Sequence, residues 1–119
     1  MTIVSGAMLG ILQEAGNSIL IMTEGLEYDE FFSSRITQHE VLRQLQVMTD
    51  TTFNLPYELK QRMLEIDWEA WSALGMQFTK TDESMQEAVW FAVRSLVPAT
   101  LLWLRVFHKS APEIFSFVA

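Results

Sequence analysis

The sequence predicts an all-α fold, an antiparallel four-helix bundle with additional short helices, formed as a single domain over residues 1–119. Three observations lead there. Apolar residues recur at helical spacing along most of the chain, the breaks between them carry helix-capping residues, and neither a strand alternation nor an internal repeat is present. With half of its residues apolar and only 5 Gly and 3 Pro, the chain can fill one core and has few forced turns.

Met8, Leu12, Ala15, Ile19 and Met22 fall on one stripe, with Gln13, Glu14 and Asn17 turned away, which defines a first helix over about residues 3–24. Gly25 follows it, where a residue able to take positive φ belongs. The acidic run Glu27–Glu30, followed by Phe31 and Phe32, is expected to form a short helical turn or loop that tucks its rings under the core. Ser33 or Ser34 can cap a second long helix, with Val41, Leu42, Leu45, Met48 and Phe53 as its inner stripe. That helix stops at Leu55, because Pro56 disfavours helical geometry in the residue before it. A shorter helix over about 57–65 comes next. Asp67 then serves as N-cap for a segment over about 68–78, in which Trp68, Trp71 and Leu74 share a face.

The last helix, about residues 82–109, has a narrow wet stripe of Glu83, Glu87, Arg94, Arg105 and Lys109, and is apolar almost everywhere else. Such a helix needs cover on more than one side. A chain of this size cannot supply all of it, so self-association as a two-fold dimer is expected, with Trp90 and Trp103 as candidates for the seam. Pro98 lies on the wet stripe, where the bend it causes is compatible with packing. Arg94 and Arg105 leave only the ten uncharged residues 95–104 between them, short of the roughly 20 that a membrane span needs, so a buried helix is expected.

A net charge of −7, from 8 basic and 15 acidic residues, opposes attraction to phosphates and argues against a nucleic-acid partner. Lys60 and Arg62 are a minor exception and read as part of a solvated helix face. The absence of cysteine excludes disulfides, thiolate metal sites and a cysteine nucleophile. No basic segment precedes the apolar N-terminus, which is interrupted by Gly6 and Gly10, and a cytoplasmic location is expected.

Chemistry is sparse. Metal sites in helical bundles pair Glu with His three residues on, but Ile36 stands before His39 and Arg105 before His108. Glu24, Glu27 and Glu30 repeat at that interval but cross a glycine in an exposed acidic run, so they read as solvated surface. Neither a phosphate-cradling glycine loop nor a G-x-S-x-G elbow occurs. No metal or cofactor is expected.

The order "FFSSRITQHEVLRQLQVMTDTTFNLP", "EIDWEAWSALGMQF" and "EAVWFAVRSLVPATL" resembles the HepT-like family of the HEPN superfamily. The resemblance covers about residues 11–105. It rests on Phe31 ahead of a Thr37-led helix, Val41, Arg43 and Leu45 within it, Leu55–Pro56, Ile66–Asp67–Trp68, and Val89–Trp90 followed by Pro98. It implies a small, dimeric, all-helical protein of the kind that acts as a ribonuclease toxin encoded beside a nucleotidyltransferase antitoxin. The family's catalytic motif is an Arg, usually followed by Asn, then a His and often a Tyr. Alignment on Trp68 sets those positions at Gly75, Met76, Lys80 and, near the Tyr, Asp82; all four depart. Cleaving RNA by that motif takes a cation to hold the phosphate and an imidazole to move protons. Glycine and methionine do neither, and a lysine that stays charged at neutral pH is a poor base. The tyrosine that such antitoxins modify is missing too, since Tyr28 and Tyr57 both lie upstream, and the family's Gly-Glu-Ala reads Thr49–Asp50–Thr51.

The sequence therefore points to a non-catalytic HepT-like bundle acting as a dimeric interaction or binding protein. Two alternatives stand beside it. One is a ribonuclease-like enzyme with a site rebuilt from Lys80, Asp82 or His39; the other is a partner subunit for a nucleotidyltransferase.

Overall fold

The computed structural model describes residues 3–78 and 83–115, and among these every regular element is helical. The chain forms α1 (Ile3–Thr23), α2 (Tyr28–Ser33), α3 (Arg35–Asn54), α4 (Tyr57–Gln61), α5 (Trp68–Gln77), α6 (Glu83–Phe91) and α7 (Val97–Ser110). A π-helical turn, Ala92–Leu96, joins α6 to α7, and a 3₁₀ turn, Pro112–Phe115, closes the described chain.

The boundaries come from local chemistry. Gly25, at φ +77°, ends α1, and Leu26 N–H returns to the Thr23 carbonyl at 3.1 Å. Glu27 opens α2 with a reciprocal capping box, its own N–H donating to Glu30 Oε1 at 3.1 Å. Of the two serines, Ser34 caps α3, accepting from Thr37 N–H through its hydroxyl. Asp67 Oδ1 accepts from Ala70 N–H at 3.0 Å and starts α5. The helix expected over 57–65 stops at Gln61; Met63 and Ile66 then pair three residues back, in tight turns that bury both side chains.

Leu9, Leu12, Ala15 and Ile19 of α1 are buried against α3 on one side and α7 on the other. The last helix runs antiparallel to α1. Leu20 and Ile21 line the same surface cleft as Val93 and Pro98, whereas Gly16, earlier in α1, meets Leu101, later in the last helix. α5 joins through Trp71, which is 1% exposed and donates from Nε1 to Thr100 Oγ1 at 2.9 Å. Trp68 is only half-buried, its Nε1 donating to the Met63 carbonyl at 3.0 Å.

Phe53 departs from the expected inner stripe of α3: it is 79% exposed, while Thr49 and Thr52 are buried. The stripe is centred on Val41, Leu45, Met48 and Thr52. Phe53 lies about 100° beyond Thr52 on a regular helix, which takes it over the rim. Leu42, also on the flank, is half-buried.

The last helix is continuous over Ser84–Ser110, and by length and composition it is apolar enough to cross a membrane, with 44% of an apolar 18-residue stretch of it buried inside the protein. Glu87, Arg94, Arg105 and Lys109 are exposed, as their common stripe implies. Val97 N–H bonds to the Ala92 carbonyl, five residues back, immediately before Pro98. Proline lacks a donor and crowds the preceding turn of an α-helix; a wider π turn at this point relieves the crowding. Leu96, Val97, Thr100, Leu101 and Leu104 face the core, yet Phe91, Leu102 and Val106 remain 41–53% exposed.

Candidate functional site

The site of interest lies where α3 and α5 pack side by side. A groove of about 440 Å³ runs along their outer face, lined from α3 by Gln46, Thr49, Asp50, Thr52 and Phe53. The opposite wall comes from Trp71, Ser72, Gly75 and Met76 of α5, with Phe78 just beyond it. Helical periodicity accounts for both walls. Gln46, Thr49, Asp50 and Phe53 are three to four residues apart on α3, and Ser72, Gly75 and Met76 repeat at the same spacing on α5.

Gly75 makes the groove deep. A Cβ added there would have only Thr49 Cβ within reach, at 3.8 Å, an ordinary contact distance. On either side stand Phe53 and Met76, the latter 73% exposed, so that two large apolar side chains rise from facing helices into solvent. Trp71 closes the floor, fixed by its hydrogen bond to Thr100. Thr49 and Thr52 turn their hydroxyls onto the α3 backbone, donating to the carbonyls of Gln46 and Thr49 at 3.0 Å each. Both hydroxyl protons are thereby spent inside the helix. Among the described residues of this lining, Asp50 is the one that ionises.

Of the motif positions assigned from sequence, Gly75 and Met76 thus line one groove, and Asp50 of the Thr49–Asp50–Thr51 segment joins them across it. Lys80 and Asp82 lie outside the described residues. His39 is exposed near the start of α3 and does not line the groove. His108 packs its ring against Phe115, with centroids 4.8 Å apart. Among the described residues no group of three or more His, Cys, Asp or Glu side chains is arranged to hold a metal ion. The acidic run has local uses: Glu30 helps cap α2, and Glu27 reaches Arg94 at 3.8 Å.

Trp90 and Trp103, the two tryptophans expected from sequence at a dimer seam, occupy different surroundings. Trp90 joins an aromatic cluster with Tyr28, Phe31 and Phe32, at centroid distances of 5.6, 5.7 and 6.4 Å, and the Arg94 guanidinium lies 4.9 Å over its ring. Trp103 pairs with Phe107 at 6.2 Å, beside exposed Leu102 and Val106. Thirteen residues separate the two, about 20 Å along a helix axis. They do not share one patch.

Sequence reasoning missed Phe53 as a site residue because it was assigned to the core. The available signal was its angular offset from Thr52. A second cleft, between α4 and α5, holds Lys60 with its ammonium 5.8 Å from the Trp68 ring centroid; burial holds that amine below the usual lysine range.

No family model, no curated protein and no solved structure matches this chain.

Proposed function

We propose that this chain is a non-catalytic, HepT-like helical bundle that works as a dimeric interaction protein. Four long helical segments, α1, α3, α5 and the α6–α7 helix, form the bundle, and α2 and α4 are its additional short helices. The observation that carries the reading is the α3–α5 groove, with room for a methyl group over Gly75, Phe53 and Met76 exposed on its rims, and Asp50 as the ionisable group of its described lining. RNA cleavage of the HepT-like kind needs a cation and an imidazole at one phosphate. An apolar groove with a carboxylate suits a protein side chain better than a phosphodiester.

The dimer part of the reading is supported by the continuous last helix, from the π turn into α7. Ser95, Ala99, Leu102 and Val106 are all exposed, and their spacing of four, three and four residues keeps them on one side of the helix. Small residues at Ser95 and Ala99 let a second helix come close, and Leu102 and Val106 provide apolar area that this chain leaves uncovered. Trp103 and Phe107 flank that stripe, so Trp103 fits a seam better than Trp90, whose ring is already engaged with α2 and Arg94.

Two measurements test this. Light scattering across a dilution series should give a dimer mass that falls to the monomer in Leu102→Glu/Val106→Glu; a wild-type monomer at every concentration overturns the dimer. Incubation of transfer and messenger RNA with concentrated protein should leave both intact. Cleavage that disappears on substitution within residues 75–80 would show an enzyme instead.

A further inference from the structure

We propose that the α3–α5 groove receives an amphipathic helix of a partner protein, anchored by apolar side chains over Gly75 and flanked by lysine or arginine. This rests on the reading of the chain as an interaction protein and specifies what it binds.

The walls argue for a helix. Both are helical, and the backbone groups within α3 and α5 pair inside their own helices. An extended peptide lying here would find no strand edge for its amide and carbonyl groups, whereas a helix arrives with its own satisfied. The volume of about 440 Å³ falls within the range of ligand-sized clefts, roughly 300–1,000 Å³. From Gln46 to Phe53, α3 offers about 10 Å of wall at 1.5 Å per residue, two turns of a docked helix. Apolar residues at i, i+4 and i+7 of such a helix would drop between Phe53 and Met76. The unbranched thioether of Met76 can adjust to their shape.

Charge sets the flanks. Asp50 stands in the groove, and the face of α5 that carries Ser72 and Met76 continues back to exposed Glu69 at matching intervals of three and four residues, while the α3 face continues back to Arg43, whose charge is met by Glu40. No cation occurs among the described lining residues, and the whole chain carries −7. A partner with acidic flanks would meet like charge, while one with basic flanks would gain both steering and pairing.

The test uses the full chain and three fluorescein-labelled helical peptides, followed by anisotropy. The first has leucine at i, i+4 and i+7 with lysine flanks, the second the same leucines with glutamate flanks, and the third the lysine flanks with serine for leucine. The first should bind saturably, the second at least about tenfold more weakly, and the third without saturation. Gly75→Leu fills the groove and should weaken the first peptide at least about tenfold; Asp50→Lys should remove the preference for lysine flanks. Because Phe53 is largely exposed, Phe53→Ser provides a groove variant that keeps the core intact if Gly75→Leu melts early. Equal affinity for the first two peptides overturns the proposal, as does binding untouched by all three substitutions, or no binding at all. Groove substitutions that convert a dimer to monomer also overturn it, because the occupant is then a second copy. Light scattering on the same samples separates the two ideas. A monomer that keeps selective peptide binding removes only the dimer, and a dimer that binds no peptide removes only this inference.

Discussion

Gly16 in α1 and Gly75 in α5 are both helical, and their surroundings are opposite. A Cβ at Gly16 would sit 2.8 Å from Leu101 Cδ2 and 3.0 Å from Leu101 Cγ, so the hydrogen of glycine is what lets the last helix lie against α1. At Gly75 the same Cβ would find only Thr49 Cβ, at 3.8 Å. Each glycine costs its helix up to about 1 kcal/mol relative to alanine. At Gly16, packing against Leu101 offsets that cost. At Gly75 nothing comparable does: a single ordinary contact with Thr49 is available, in a groove between two exposed apolar side chains. The inside of the fold is closed to the tolerance of a methyl group, while the outer face of α3 and α5 is not.

The largest expected effect breaks the comparison on its packed side. Leu101→Ala removes the side chain that fills the space over Gly16 and should destabilise the protein by about 2–5 kcal/mol, the usual range for a buried leucine. In that background Gly16→Ala should recover part of the loss, although in the wild type it crowds Leu101. Urea denaturation of the four proteins of this cycle, with unchanged slopes, gives the coupling. Additive effects at the two positions would show that their contact does not govern the approach of α1 and α7.

Trp71 belongs to both regions, since its ring floors the groove and its Nε1–H reaches Thr100 on α7. Trp71→Phe loses a buried hydrogen bond and part of the ring volume, and about 1–3 kcal/mol of stability is expected to go with it. The same urea midpoints read it. A change within error would mean that the α5–α7 bond contributes little and that the groove floor can be altered freely.

How much of this was legible in the sequence depended on distance along the chain. Gly25, Ser34, Asp67 and the Leu55–Pro56 stop are set by neighbours a few residues away, and the structure has each where those neighbours put it. The π turn before Pro98 was not legible, because a proline in an apolar helix is compatible with a simple bend as well as with a wider turn. Phe53 was misassigned for a related reason: a stripe of apolar residues does not say how wide the buried arc is. The groove itself was half legible. Gly75 and Met76 stood out as positions without chemistry, but that Thr49, Asp50 and Phe53 face them depends on a helix pairing across some 25 residues of chain.

A smaller effect sharpens the open side. Gly75→Ala restores helix propensity at a point where the added methyl has room, so stability should rise by up to about 1 kcal/mol. The matching substitution at Gly16 in the wild type should not stabilise. If Gly75→Ala instead destabilises, the groove is tighter than its contacts indicate, and the contrast between the two glycines weakens.

The smallest expected effect lies on the exposed face of α3, one turn before the first residue of the groove lining, and serves as a control for both regions. Arg43 donates to both carboxylate oxygens of Glu40, Nε at 3.2 Å from Oε2, and Gln44 Nε2 adds a bond at 3.3 Å. The hydrogen bond from Arg43 is the main cause that holds the Glu40 pKa below its ordinary value of 4.5, with Gln44 and the nearby charges of Arg43 and His39 adding to it. Because the folded-state pKa is the depressed one, the pair's contribution is present above the unfolded value and fades as pH falls through the folded value, so it is in place at neutral pH and lost only in acid. Arg43→Ala should move the Glu40 carboxyl titration, followed by NMR, upward toward the ordinary range while leaving part of the depression to Gln44. At neutral pH the substitution should scarcely change the melt, since a solvent-exposed ion pair is screened. A large loss of stability would mean that the outer face of α3 is held by this pair, and the openness of the neighbouring groove would then have to be weighed against it.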